Sequence, residues 1–318
     1  MSNMRIAIIG AGMAGLAAGR RLKEAGADAL VLERNAQPGG RLASVEVAGA
    51  LTDAAALYAT AREPAFKDFM QSAVFSGHAT GWAPKGRSSD EPWLIGLPTM
   101  NALSAFCAEG LDLRTGTAAE RIGHASEGYI VQTADAGPIG PFDAVIVAIA
   151  APAAGPLLKA HGKPFERIGA VVMRPTLAGV FAFSERLPID ADFIAEAATI
   201  GAAARNASRA GRAGEEVWIV HGSADFSAGH FEESDEAVAE KLLEGLGAAA
   251  GSGLPAPAER HILRYPQARV ETALGEPFLA GGRGRLVACG DWCLGPRLEA
   301  AFISGTAAAE AVLSALAA

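Results

Sequence analysis

The chain has 318 residues, half of them hydrophobic and 19% charged, with a formal net charge of −8. That is enough apolar material for two domains or one large interrupted domain, and it argues against disorder. The acidic balance and the lack of a Lys/Arg-rich block argue against nucleic acid or an anionic membrane surface as partners.

In chain order, the first stretch is Met4–Gly26, MRIAIIGAGMAGLAAGRRLKEAG. Ile6–Ile9 predicts a short buried strand. Ala14–Ala25 predicts a helix with Leu16 and Leu22 inward and Arg20, Arg21, Lys23 and Glu24 towards water. Gly10 suits the sharp turn between them, Gly12 lets a pyrophosphate approach the backbone, and Gly15 lets the helix lie close to the strand, with Ala14 beside it. The helix N-terminus then offers free N–H groups and a positive dipole end to phosphates. A second strand, Ala29–Leu32, runs into Glu33, 18 residues beyond Gly15, where a carboxylate meets ribose hydroxyls. Arg34 is compatible with a 2′-phosphate, but Glu33 beside it repels one. The apolar opening also resembles a signal peptide, although the glycine spacing and the charges at 20–24 fit a strand–helix unit better.

AQPGGRLAS (36–44) is a glycine loop able to fold over the dinucleotide, with Gly40, Arg41 and Leu42 near it and Arg41 balancing phosphate charge. Residues 46–66 read as mixed strand and loop, 67–74 as helix, 77–98 as loop-rich with Trp82 and Trp93, and 99–110 as a helix burying Met100, Leu103, Phe106 and Cys107. Short strands are expected at 111–114, 119–123 and 129–133. The apolar run 142–158 reads as a central parallel strand. Strands near 176–183 and 217–221 precede a helix over 234–246, and a Gly/Pro-rich link (247–257) leads to 259–270. Residues 285–318 read as strand, loop and long closing helix. There Leu286–Asp291 is a buried strand ending in Gly290-Asp291, whose carboxylate suits a ribityl hydroxyl, and the helix from Glu299 can aim its dipole at a flavin edge.

No run of 18 apolar residues stands out, so no membrane span is expected. The three cysteines, Cys107, Cys289 and Cys293, form neither a disulfide framework nor a metal-ligand pattern, which suits a cytoplasmic protein without metal. The glycine motif alone leaves NAD and FAD open; the later Gly40-Arg41 and Gly290-Asp291 elements favour FAD. The fold class expected is α/β: a Rossmann-type FAD-binding domain (1–46, 94–150 and 281–318) with an inserted α+β substrate domain (47–93 and 151–280), an amine oxidase or p-hydroxybenzoate hydroxylase-like architecture.

The ensemble resembles the FAD-dependent amine oxidase superfamily and, at closer range, bacterial renalase and its relatives. The resemblance rests on DAAALYATAR (53–62), WLIGLPTMNALSAF (93–106), ARNASRAGR (204–212), WIVHGSADFS (218–227) and GDWCLGPRLEAAFISG (290–305). It implies noncovalent FAD held by Gly10, Gly12, Gly15, Glu33, Arg34, Gly40, Arg41, Asp291 and Glu299–Ala301, Ala300 among them, with Ala55, Ala56, Leu57 and Tyr58 beside the flavin ring. It also implies oxidation by O2 of the 2- and 6-dihydro isomers of nicotinamide dinucleotides, with hydride passing to flavin N5 and H2O2 as product.

Arg205 and Asn206, with Arg209 and Arg212, are expected to meet an anionic part of the substrate or to form a solvated loop. His261 and Tyr265 are expected to reach the active cavity or a domain junction, and Trp292 to contact the site or fill core. His221 reads as a structural histidine. The chain departs from the resemblance in three places. Ala55-Ala56-Leu57-Tyr58 replaces Gly-Ala-Gln-Tyr, and His261-Ile262-Leu263-Arg264-Tyr265-Pro266 lacks a tryptophan. Val270–Ala280 departs from the aromatic lining of some bacterial renalase sites. These departures leave open a flavin oxidase or dehydrogenase with another small-molecule donor, or a flavin-binding protein without turnover.

Overall fold

The structure is a computed structural model that describes residues 4–87, 90–212, 216–251 and 253–318. Its first sheet has six strands in the order Leu279–Gly281, Leu286–Ala288, Ala144–Val147, Arg5–Ile9, Asp28–Leu32 and Asp112–Arg114. All neighbours are parallel except the outermost pair, 279–281 with 286–288. The strand Arg5–Ile9 is central, with the next strand in sequence on one side and 144–147 on the other. Strand order therefore reverses at its carboxyl end, where an open parallel sheet forms a ligand crevice. Burial on both faces accounts for the unbroken apolar sequence of these strands.

The helices Met13–Glu24 and Leu298–Ala317 lie against each other on this sheet. A Cβ on Gly305 would fall 1.9 Å from the Ala14 carbonyl oxygen, so the helices approach to backbone contact there. The closing helix is, by length and hydropathy, the one helix among the described residues able to cross a membrane, although Glu299, Ser304, Thr306, Glu310 and Ser314 interrupt its apolar sequence. Its Ala308, Ala309 and Val312 are buried in the core.

A three-stranded antiparallel sheet (Ala119–Ala125, Gly128–Thr133, Gly137–Phe142) leads into the strand 144–147. The expected strand over 142–158 is shorter than its apolar run. Ala148 N–H still donates to Ile9, but the chain then turns into the helix Ala151–Leu158, with Pro152 in its first turn.

The third sheet has five strands, in the order Phe193–Ala197, Ile200–Arg205, Glu216–Gly222, Val172–Phe183 and Glu259–Thr272, all antiparallel. One face packs with the helix Asp235–Ala250 around Trp218, Phe181 and Leu242. The other presents Val180, Ala182, Ala204, Val217 and Ile219 to the core shared with the nucleotide sheet. In the strand 259–272, residues 266–268 stand opposite Pro175 alone, a bulge that accommodates both prolines and takes the Ala268 carbonyl out of the ladder.

Candidate active site at the crevice of the parallel sheet

The first βα turn is built for close approach. Gly10 has φ +102°, and a Cβ on Gly15 would lie 1.9 Å from the Gly10 carbonyl oxygen. Gly12 caps the first helix without any side-chain hydrogen bond, and a Cβ there would meet nothing within 4 Å. The helix thus keeps an open N-terminal face beside its unpartnered first-turn amides. Gly40 comes over this face: a Cβ on it would lie 3.7 Å from Gly12 Cα. Leu42, the last residue of that turn, is buried.

Glu33 is buried at the end of the second strand. Its Oε2 accepts from the Ala11 N–H at 2.8 Å, and its Oε1 accepts from the Asn35 backbone N–H at 2.9 Å and from Asn35 Nδ2 at 2.8 Å. Arg34 beside it is exposed. At the other end of the crevice, Arg41 forms a two-pronged ion pair with Asp291, each prong 2.7 Å, and also donates to the Ala268 carbonyl freed by the bulge. Gly290 N–H donates to Ser304 Oγ, which donates on to Pro277, tying the Gly-Asp turn to the closing helix.

The inner wall is the strip 53–63. The Ala54 carbonyl accepts from His221 Nε2 at 2.7 Å, so the imidazole carries its proton on Nε2. The N–H groups of Arg62 and Glu63 both donate to Glu299 Oε1 at 2.6 Å. The strip therefore runs from the five-stranded sheet to the first turn of the closing helix, and Ala55 and Ala56 are half-buried along it. Leu57 is buried, with half-buried Leu263 and Tyr265 packed on the same core. Tyr58 stacks on Trp93 with ring centroids 3.8 Å apart, beside Trp82 and Phe193. The two tryptophans face each other across the hairpin 79–96, a stretch expected to be mostly loop. Burial pushes the phenol pKa of Tyr265 up, and likewise that of Tyr58, where Glu91 adds to the rise and Arg269 opposes it.

Several expected site residues turn out to be committed elsewhere. Arg205 is 1% exposed and spends its guanidinium on Glu216, Asp192 and the Ile189 carbonyl, so it is a strut of the sheet and not an anion receptor. Asn206 is buried, its amide divided between the Leu51 carbonyl and Arg209. Trp292 is fully buried in the core on the opposite side of the parallel sheet, donating to the Ile149 carbonyl. His261 is an exposed side chain 3.7 Å from the Glu259 carboxylate and not part of the buried wall. The Glu299 carboxylate anchors the strip, leaving the flanking Ala300 and Ala301 to cover the helix start. Phe278 lies within 270–280 and packs on the main core, so that stretch does supply an aromatic.

Sequence reading missed Asp53. It is 1% exposed and accepts from Met100 N–H, Ser44, Arg209 and Arg212. An Asp at the head of an apolar run, with three arginines clustered at 205–212, was the available signal. Among the described residues no group of His, Cys, Asp and Glu is placed to hold a metal ion.

A family model described as flavin containing amine oxidoreductase matches residues 66–313, and one described as NAD(P)-binding Rossmann-like domain matches 8–73. The chain belongs to the flavin-containing amine oxidoreductase family. Solved structures of the same fold cover nearly the whole chain at low identity. A protein assigned as a protoporphyrinogen oxidase from Exiguobacterium sp. 255-15 superposes with TM-score 0.79 at 15% identity, covering 100% of both chains. Cyclohexylamine oxidase from Brevibacterium oxydans IH-35A gives 0.78 at 13%, covering 99% of this chain and 100% of its own. A cofactor-binding redesign of putrescine oxidase gives 0.72 at 11%, covering 98% and 99%. As a member of this family the protein is an FAD-dependent oxidoreductase. The crevice fits the cofactor: the open Gly12 face suits a pyrophosphate, Glu33 retains acceptor capacity for ribose hydroxyls, and Asp291 lies beside the closing helix.

Proposed function

We propose that this protein is a renalase-like oxidase that takes hydride from a dihydronicotinamide-type donor, such as the 2- and 6-dihydro isomers of NAD(P), and uses O2 as acceptor. The overall reaction converts donor, O2 and a proton into the aromatic nicotinamide cation and H2O2. The observation that carries this reading is the inner wall itself. Ala55, Ala56, Leu57, Leu263 and Tyr265 offer apolar and aromatic surface, and Arg41, Asp291, Arg212 and Glu299 beside them are engaged with protein partners, while exposed Arg269 brings a positive charge near Tyr58. Such a wall suits a donor whose hydride needs only position, because a dihydropyridine leaves as an aromatic ion without acid–base help. Bound FAD supplies the hydride-accepting ring. The strip 54–58 orients a flat donor and keeps water out, and Tyr265 offers it one neutral polar handle.

FAD is held without a covalent link in this reading. Burial raises the Cys293 thiol to about 12 and that of Cys289 well above its ordinary value, so both are poor nucleophiles. Three free cysteines suit a cytoplasmic location, and the charge of −8 suits neither nucleic acid nor an anionic membrane as partner.

A second reading, a flavin amine oxidase or dehydrogenase with a different small donor, draws on the aliphatic Leu57 and on the full engagement of Arg205 and Asn206 inside the protein. Anaerobic mixing of the yellow protein with a donor panel separates the two. The dihydro isomers should bleach the flavin quickly and ordinary NADH slowly. Bleaching by a simple amine but by neither isomer would discard the renalase-like reading. Slow bleaching that Leu57→Gln accelerates would mean a renalase-like scaffold turned to another donor.

A further inference from the structure

The arginines at 205–212 are committed inside the protein, and a different arginine stands open beside the wall. The strand 259–272 runs from Tyr265 through the bulge at 266–268, whose Ala268 carbonyl accepts from Arg41. Arg269 follows at once. Alternation then sorts the side chains of the ribbon that 269–272 forms with 172–174. Met173 and Val270 are paired in register and pack on the core that holds Trp292. The next pair, Arg174 and Arg269, lies on the other face with Glu271, towards solvent.

Like charges directly opposite each other on a ladder repel. Arg174 is relieved by Glu271, which it meets at 2.8 Å, and Asp225 adds a weaker attraction. Arg269 makes no salt bridge and no side-chain hydrogen bond among the described residues. The other charges around the wall are matched at short range, Arg62 with Glu91, Arg297 with Glu299 and Arg41 with Asp291. The charge of Arg269 nevertheless reaches the wall. Burial and then Glu91 raise the Tyr58 phenol pKa, and Arg269 opposes them. The chain as a whole carries −8 and repels an anionic donor at long range, so such a donor needs a local cation.

We infer that Arg269 is the phosphate receptor for the donor: with the dihydropyridine ring against the strip 54–58, its guanidinium pairs with the phosphates that follow the nicotinamide ribose. It thereby selects an anionic nucleotide over a cationic amine. The inference rests on the dihydronicotinamide reading. A guanidinium presents paired N–H donors in one plane, which match two phosphate oxygens. Glu271 moderates the site, because its carboxylate stands two residues along the same face and weakens the field that a phosphate meets. Arg269 touches no reacting atom, so it contributes binding and leaves the hydride step to the wall.

Its test is calorimetric binding of NAD+, the product of the proposed reaction, to the oxidised holoenzyme. The wild-type protein should bind it saturably, and more weakly as salt rises. Arg269→Met should raise the Kd about tenfold, as expected for the loss of a charge-assisted hydrogen bond, and should blunt the salt dependence. Arg269→Lys should recover part of the loss. Glu271→Gln should tighten binding, a gain that a merely structural role for Arg269 would not produce. FAD affinity should be that of wild type in all three variants. Absence of saturable NAD+ binding to the wild type would overturn the inference. So would an unchanged Kd in Arg269→Met, or loss of FAD from that variant, which would place the arginine on the cofactor. If the dihydro isomers bleach the flavin but Arg269→Met binds NAD+ normally, the donor reading stands and this assignment falls. If neither isomer bleaches it and Arg269→Met still weakens NAD+, the donor reading falls and the phosphate receptor stands.

Discussion

The Glu33 carboxylate fills three acceptor positions with protein N–H groups, one from the glycine turn and two from Asn35, and a carboxylate has room for about four. It therefore both shapes the turn and keeps capacity for a ribose hydroxyl. Glu33→Ala should weaken FAD binding roughly 10- to 100-fold, from the loss of about 1.5–3 kcal/mol of charge-assisted bonding. The reduction rate at saturating FAD should hold, because a group far from the reacting ring contributes uniform binding. Titration of apoprotein alongside stopped-flow reduction checks both, and an unchanged affinity would remove Glu33 from the site. His221 makes a pH prediction. Burial, the largest cause, and Arg209 depress its pKa, so the unfolded chain binds the proton more readily than the folded one. The stabilising contribution is complete above the unfolded value of about 6.5 and is lost as pH falls from there through the lower folded value. Urea midpoints of the wild type should drop through that window, and His221→Gln, which keeps a donor for Ala54, should flatten the slope. Parallel slopes would place the proton uptake on another group.

The pair of helices on the parallel sheet fixes where phosphates can sit, because Ala14 lies in the first turn of one and touches Gly305 of the other. Gly305→Ala must force the helices apart. A cost of about 1–3 kcal/mol is expected for overpacking of this kind, read as a lower urea midpoint, together with weaker FAD binding as the first turn shifts. A wild-type midpoint would mean the closing helix tolerates displacement. At this scale the nucleotide half was legible from sequence, since the strands 5–9 and 28–32 and the helix 13–24 carry buried periodicity and a glycine turn with one physical solution. The insert was harder to read. FIAEAATIGAAAR, at 193–205, is alanine-rich and yet forms a hairpin, because its alternate alanines pack flat between neighbouring strands. The strand 259–272 is half-exposed, charged and interrupted by Pro266, and only its bulged pairing with 172–183 makes it a strand. At the site, glycines and carboxylates at fixed offsets could be read locally. The engagement of Arg205, Asn206 and Trp292 depends on partners far along the chain, such as Leu51 and Ile149, which spacing does not reveal.

Across the whole molecule, cofactor, strip and both sheets are linked. The strip 53–63 is bonded to the five-stranded sheet through His221 and to the closing helix through Glu299, while Arg41 joins the glycine loop to Asp291 and to Ala268 of the long strand. A ligand bound between the glycine turn and the strip would lie against elements tied to both sheets, and its binding energy should hold them together as one unfolding unit. Acid precipitation should first release intact FAD into the supernatant, as expected for a noncovalent cofactor; colour that stays with the pellet would refute that. Apoprotein made under gentler conditions should then unfold at lower temperature than holoenzyme. Each hundredfold excess of FAD over its Kd should restore about 2.7 kcal/mol. The discriminating measurement is where that stabilisation appears. Hydrogen exchange at Val217–Val220, in the centre of the five-stranded sheet, should slow with FAD as much as exchange at Ile6–Ile9 beneath the cofactor. Protection confined to the parallel sheet would mean that the strip lines the crevice without coupling the two halves.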